Sequence, residues 1–545
     1  MSLVLQVSGS LKPVKQSLLA SGAECRQAKS DYLLSPRVSP PSIHQQPRAP
    51  GPTTCDGVRL GTIEMNEIRS VPGSGRMDSS SSPHDVEQQP QRKRRRHSSA
   101  SAMRASDAAS SPHPPRELGH MRSGHVTGSS SFVGSGSGIH FVRTVRSSFA
   151  KYYPRGSEPV DDEMVPGEDD RLQTQSSSLW GADEVQQSST AGGPATATHF
   201  DDLVRWSQAY FNNWHPPFPF LHAPSILALL EMVSLHGLSR LNSIEAIMVR
   251  SVLSTSLADR RQTPRDNQRS PVPSHLIFNT IEEAISGLSP ILIKPSTLAS
   301  LQAAVSIQVF LVSMLRLNAA SRLGGTIVRI AFHLGLHRCP ARFTQFSSAD
   351  ADMRRRLFWS IYCLERYLAQ SLGLPLDLKD DDIDVCYPDN ELHTRDDVSS
   401  CKLEPPHGMT CFPLSLWSII SNFVDPRLLY LPACLARHSR IKGLILELRN
   451  KSVFHSKSDP DEVAHVDAEI SKWWNEAQDL LDPSYMNEYG VVDDLASSNP
   501  TPDLLKPSHR LLLIVQKHES VILLNRPVIT SGYNTSAFAG AMQKC

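Results

Sequence analysis

Nine cysteines are the first side chains in this 545-residue chain that could bind a metal or carry redox chemistry: Cys25, Cys55, Cys339, Cys363, Cys386, Cys401, Cys411, Cys434 and Cys545. The odd count and irregular spacing argue against a secreted disulfide framework and for a reducing compartment. His333 and His337 stand four apart, as a helical metal pair would. No Glu follows the first and no third ligand is evident, so a satisfied or exposed histidine pair is expected. Lys379-Asp380-Asp381-Asp382-Ile383-Asp384 concentrates acid but lacks the alternating ligands and central Gly of a calcium loop. It reads as a solvated acidic loop that caps nearby helices or meets the arginines at 354–356. Trp473 and Trp474 predict one ring in the core and its neighbour in a groove. No nucleophile elbow, phosphate-cradling Gly-rich loop or dinucleotide fingerprint is present. These residues point to a regulatory or interaction surface, and an enzyme is not expected.

The elements that must position such a surface lie in the second part of the chain. Residues 1–195 are dense in Ser, Pro, Gly, Gln and Arg, with widely scattered Leu, Ile and Phe. They cannot bury enough apolar surface to offset an ordering entropy of about 1 to 2 kcal/mol per residue, so mostly disordered chain is expected there. From His199 onward, apolar residues recur at helical spacing. The expected organisation is therefore a basic, Ser-Pro-rich region over 1–195 and a helical domain over 196–545.

The formal net charge is zero, yet residues 1–155 hold 21 Lys or Arg against 10 Asp or Glu, and PVDDEMVPGEDD follows at 159–170. Arg92-Lys93-Arg94-Arg95-Arg96 repel one another and stay extended. They fit an acidic import-receptor groove or phosphates, or are simply a solvated run. The apolar residues Phe132, Val133, Ile139, Phe141, Val142, Val145 and Phe149 mark a segment able to dock on the body as a strand or short helix. Leu179 and Trp180, with Met164 and Leu172, fall in a stretch read as linker or an activation-like segment. The N-terminus lacks a charged n-region ahead of an apolar one, which argues against a secretory leader; its acid-free, Ser-rich start leaves a mitochondrial transit peptide open. No run approaches the roughly 18 apolar residues of a membrane helix, so a soluble chain is expected.

FDDLVRWSQAYFNNW predicts a helix ended by His215-Pro216-Pro217. Further helices are expected over 225–236, 241–257, 275–288, 296–317, 319–336, 349–371, 412–421, 424–448, 462–481 and 506–524. Ser296 and Ser348 are the expected N-caps of two of them. No hairpin dipeptide joins alternating apolar strands and no βαβ cadence appears, so the class is all-α. In ADMRRRLFWSIYCLERYLAQSLG, Leu357, Ile361, Leu364 and Leu368 form one stripe with Phe358, Tyr362 and Tyr367 beside it. Arg354, Arg355, Arg356, Glu365 and Arg366 are expected toward the other side or the first turn. Gly373 and Pro375 should stop this helix, and Gly335 should turn the preceding one.

These residues resemble a known family. Arg329-Ile330-Ala331-Phe332-His333-Leu334-Gly335-Leu336-His337-Arg338, then Arg354-Arg355-Arg356-Leu357-Phe358-Trp359, Arg366, Gly373-Leu374-Pro375 and Asp381-Asp382-Ile383-Asp384 are similar to the middle homology region of fungal binuclear-zinc-cluster transcription factors. Glu365 stands where that family commonly has Asp. The resemblance covers roughly 60% of the chain and implies an all-α regulatory domain in a nuclear regulator of RNA polymerase II transcription, acting on metabolic or secondary-metabolite genes. It also implies DNA, related factors in homo- or heterodimers, and an import receptor as partners, with no membrane.

The zinc cluster departs from that pattern. Intact members hold two zinc ions on six thiolates spaced C-x2-C-x6-C and repeated. Here the surroundings of Cys25 and Cys55 resemble two of the ligands, but no cysteine lies between Cys55 and Cys339. The expectation is a factor whose cluster was interrupted, binding no zinc, with a non-DNA-binding regulatory or interaction protein as the alternative. SAFAGAMQKC resembles the start of a helix that continues in the family, which predicts an exposed core edge and poor solubility.

Overall fold

The computed structural model describes residues 119–123, 130–143, 178–186, 198–261, 270–388, 429–450, 460–481, 505–531 and 536–545. All of them fall in one compact unit that spans Pro114–Cys545. Cys25, Cys55, the run Arg92–Arg96 and the helix expected over 412–421 lie outside the described residues.

The described body is helical: α1 (Phe200–Ala209), α2 (Ala223–His236), α3 (Ser243–Arg260), α4 (Ile281–Ser286), α5 (Ser289–Ile293), α6 (Leu298–Ser313), α7 (Leu317–His333), α8 (Ser348–Leu372), α9 (Tyr430–Asn450), α10 (Pro460–Leu481), α11 (Pro507–Ser531) and α12 (Ser536–Lys544). The centre is α6, whose residues from Ser300 to Ser313 are nearly all buried. A helix apolar all round has no face to offer water, so it must be wrapped. Helices α3, α7 and α8 pack around it, with α4 and α5 along its flank. Helix α8 then hands the core on to α9, which packs with α10 and α11, and α12 closes on α11.

Local signals explain where these helices begin. Asn242 caps α3 and exchanges hydrogen bonds with Glu245 in a capping box, which satisfies N–H groups the first turn leaves orphaned. Thr297, not Ser296, caps α6, and Ser347, not Ser348, caps α8. In each case two neighbouring hydroxyl residues compete, and the one left in extended geometry takes the role. The helix expected over 275–288 is instead a 3-10 turn at Ser274–Leu276 followed by α4. Between them the Asn279 side chain donates to Ser274 O and the Phe278 N–H donates to Ser254 Oγ, so local polar bonds displace the helical ladder.

The core also takes in residues before His199. Strands β1 (Gly119–Ser123) and β2 (Ser130–Gly134) pair antiparallel, and Val133 and Ile139 are buried. Arg526 of α11 donates to Ser137 O at 3.1 Å and to His140 Nδ1 at 3.0 Å. The strand β3 (Val185–Gln186) pairs with β4 (Val272–Pro273), and Trp180 is sealed with its Nε1–H donating to Phe278 O at 2.7 Å. Leu179 and Trp180 are thus docked parts of the body.

Gly373 ends α8 in the left-handed region at φ +69, with Pro375 just after. A Cβ on Gly373 would sit 2.7 Å from Gly134 Cα, so β2 rests directly on the helix end. Gly373→Ala combines left-handed strain with this clash and should cost about 1 to 3 kcal/mol. Hydrogen exchange should rise over residues 130–143; unchanged exchange there would mean that the close approach does not hold the hairpin.

Candidate functional site

The chemistry-bearing residues of the chain converge where the second half of α8 meets the loop Pro375–Pro388 and α9. Trp359, Tyr362 and Arg366 recur at three- and four-residue intervals, so they share one face of α8. The Arg366 side chain is completely buried and Glu365 is 5% exposed. These two charges lie inside the body, contrary to the expectation that they face outward. The reason is mutual satisfaction: Arg366 pairs with Glu365, donates to Leu378 O at 2.9 Å and to Asp380 Oδ1 at 2.8 Å, and stacks 4.3 Å above the Tyr362 ring. Glu365 in turn accepts the Asp377 N–H at 2.7 Å, and Tyr362 donates its hydroxyl to Asp380 at 2.7 Å.

Burial works against the charge on Arg366, but Glu365, Tyr362 and Asp380 together hold its pKa above the ordinary guanidinium value. Burial pushes the Glu365 carboxyl up, and Arg366 only partly offsets it. Burial also pushes the Tyr362 phenol well above its ordinary value, with Asp380 reinforcing the shift, so the hydroxyl remains a donor. The result is a fixed clamp that ties the loop to α8. Apart from Arg366 Nε, which is buried without a hydrogen-bond partner, its groups are spent on one another, which makes the clamp a structural tie. Gly443 of α9 closes it from the far side, since a Cβ there would stand 2.9 Å from Arg366 Nε.

The acidic loop does not meet the arginines at 354–356. Those lie about 15 to 18 Å before Arg366 along α8, at 1.5 Å per residue, and make contacts of their own. Arg354 donates to Leu334 O at 3.1 Å and stacks on Phe346, Arg355 pairs with Asp352, and burial lowers the pKa of Arg356. Asp384 instead faces Arg342 at 2.7 Å and Arg338 at 3.7 Å, and accepts the Cys339 N–H at 2.9 Å. Asp382 is exposed. Phe358 and Trp359 are buried, and Trp359 donates to Cys386 O at 2.8 Å while stacking on Tyr387. Between this loop and α9 opens a cleft of about 240 Å³, lined by Trp359, Tyr362, Asp380, Cys386, Tyr387 and Arg440 among others.

A second polar tie joins three helices. Glu519 of α11 accepts from Gln370 of α8 at 2.7 Å and from Lys442 of α9 at 3.1 Å. Beside it His438 Nε2 and Ser520 Oγ are 2.8 Å apart, the contact of a nucleophile and its base, yet both are buried and Trp473 lies 4.4 Å from the imidazole. This pair packs the core. Trp473 itself is sealed, donating to Cys434 O at 2.9 Å, whereas Trp474 is half-buried beneath Lys517. Among the described residues no group of three or more His, Cys, Asp or Glu could hold a metal, and no helix is long and apolar enough to cross a membrane. His333 ends α7 and His337 lies beyond Gly335 against Phe332, so the two rings are not carried on one continuous helix.

Comparison with known proteins follows the same body. Residues 208–475 match the fungal specific transcription factor domain. The chain is 29% identical to "Probable transcription factor FUP6" of Fusarium proliferatum over 81% of its own length and 67% of that protein's. It is 22% identical to "Transcriptional activator protein acu-15" of Neurospora crassa over 62% of its length, but spans only 32% of that relative. With "Fusaridione A cluster transcription factor fsdR" of Fusarium heterosporum the identity is 25% over 38% of this chain and 40% of the relative. No solved structure matches.

Proposed function

We propose that this chain, whose residues 208–475 match the fungal specific transcription factor domain and which is similar to fungal transcription regulators, works in the nucleus, controlling RNA polymerase II transcription of metabolic or secondary-metabolite genes. The observation that carries this is the coincidence of the family match at 208–475 with the clamped helical body, from the end of α1 to the Trp473–Trp474 pair in α10. The names of the Fusarium heterosporum and Neurospora crassa relatives, a cluster transcription factor and a transcriptional activator, support control of dedicated gene sets. In this reading the helical body is the control module, and Arg92, Lys93, Arg94, Arg95 and Arg96 serve an import receptor. Homo- or heterodimers with related factors bring it to promoters.

The cysteines favour a second reading of how DNA is reached. Zinc takes four thiolate or imidazole ligands per ion, and a binuclear cluster shares six thiolates. Between Met1 and Arg338 this chain has Cys25 and Cys55 alone. That donor set does not fit such a cluster, so the chain acts on DNA through a related factor in a mixed dimer. Zinc content and duplex binding of the purified chain test this. The mixed-dimer reading expects fewer than about one zinc per chain and a shift of CGG-containing duplexes only when an intact related factor is added. About two zinc ions and a salt-dependent, sequence-selective shift by the chain alone would return DNA contact to the chain itself.

A further inference from the structure

We infer that Cys339 and Cys386 form an oxidation site at which a peroxide closes a disulfide between the turn after α7 and the acidic loop. Their Sγ atoms lie 3.4 Å apart, although the residues belong to different segments of the chain. A disulfide needs about 2.05 Å between sulfurs, so closure calls for roughly 1.4 Å of approach, within the reach of side-chain rotation. The two backbones are already held in register. Asp384 donates its N–H to His337 O at 3.2 Å and accepts the Cys339 N–H at 2.9 Å, while Trp359 holds Cys386 O at 2.8 Å.

Access decides the order of events. Cys386 lines the 240 Å³ cleft beside Tyr387 and Arg440, whereas Cys339 is fully buried behind it. A hydroperoxide small enough to enter meets Cys386 first. The Cys386 thiolate attacks one peroxide oxygen, the O–O bond breaks, and the leaving oxygen takes a proton to depart as water or an alcohol. Cys386 is then a sulfenic acid, oxidised by two electrons. The Cys339 sulfur attacks that sulfur, the S–O bond breaks, and the Cys339 proton leaves with the hydroxyl as a second water. Two thiols and one peroxide have become one disulfide and two leaving oxygens. The bond would fasten the wall of the cleft that carries Asp380 and Asp384, next to the Arg366 clamp.

The test uses the full chain and hydrogen peroxide, followed by alkylation and trypsin. The oxidised protein should yield the segments 339–342 and 380–395 joined as one peptide, lighter by two hydrogens than their sum and released by a thiol reductant. Cys339→Ser should abolish the joined peptide and leave Cys386 as a sulfenic acid trapped by dimedone. The inference is overturned if peroxide leaves both wild-type thiols alkylatable while the exposed Cys545 is oxidised. It is equally overturned if Cys386 joins some other cysteine in preference to Cys339.

Discussion

Arg366→Ala should destabilise the body by about 3 to 5 kcal/mol. The arginine is fully buried among Glu365, Asp380, Leu378 O and the Tyr362 ring, so removing it strands the Glu365 carboxylate without its cation. Thermal unfolding followed by circular dichroism should move down by roughly 10 °C. Replacing both charges, as in Glu365→Leu with Arg366→Met, should recover much of that loss, because an apolar pair leaves no buried charge unpaired. Equal loss in the single and double variants would mean that packing, not charge compensation, gives Arg366 its weight.

Mild acid should unfold the protein through its buried histidines. Burial, with Arg356 adding to it, holds His215 down to about 3. Burial likewise holds His509 down to about 4 and His438 well below the ordinary value of 6.5. The unfolded chain takes up protons on His215 and His509 near 6.5, whereas the folded body does so only at about 4 or below. Between those limits the unfolded state binds more protons, so stability is present above pH 6.5 and lost as pH falls. His215 and His509 each contribute a slope of about 1.4 kcal/mol per pH unit, so the two over about two units give about 6 kcal/mol, within the range of a typical domain's whole stability, and His438 acts in the same direction. Helicity should therefore collapse cooperatively above about pH 4. His509→Gln should flatten the dependence, since it removes one of the contributing slopes. Helicity that stays level down to that pH would exclude this account.

Much of this was legible in the sequence because a helix repeats every 3.6 residues. Leu357, Ile361, Leu364 and Leu368 announce the buried stripe of α8, and Gly373 with Pro375 announces its end. Charge was the misleading signal. Arg366 and Glu365 read as surface residues by type, yet Arg366 continues the row of Trp359 and Tyr362, and that periodicity was the available clue to its burial. The partners of the acidic loop were not legible. Asp384 and its arginines at 338 and 342 are brought together only by the turn after α7, a contact no local pattern encodes. Trp180 shows the same limit: a short apolar segment amid polar chain gives no period, and its docking depends on the Phe278 carbonyl far along the chain.

The most direct measurement of the central claim joins the full chain to a heterologous DNA-binding domain and places the matching site upstream of a reporter gene in a fungal cell. A transcription control module organised by the Arg366 clamp should change reporter transcript, lose that effect in Arg366→Ala, and keep it in Asp381→Asn, whose side chain is exposed. A folded, nuclear fusion that occupies the site and leaves the transcript unchanged would contradict it.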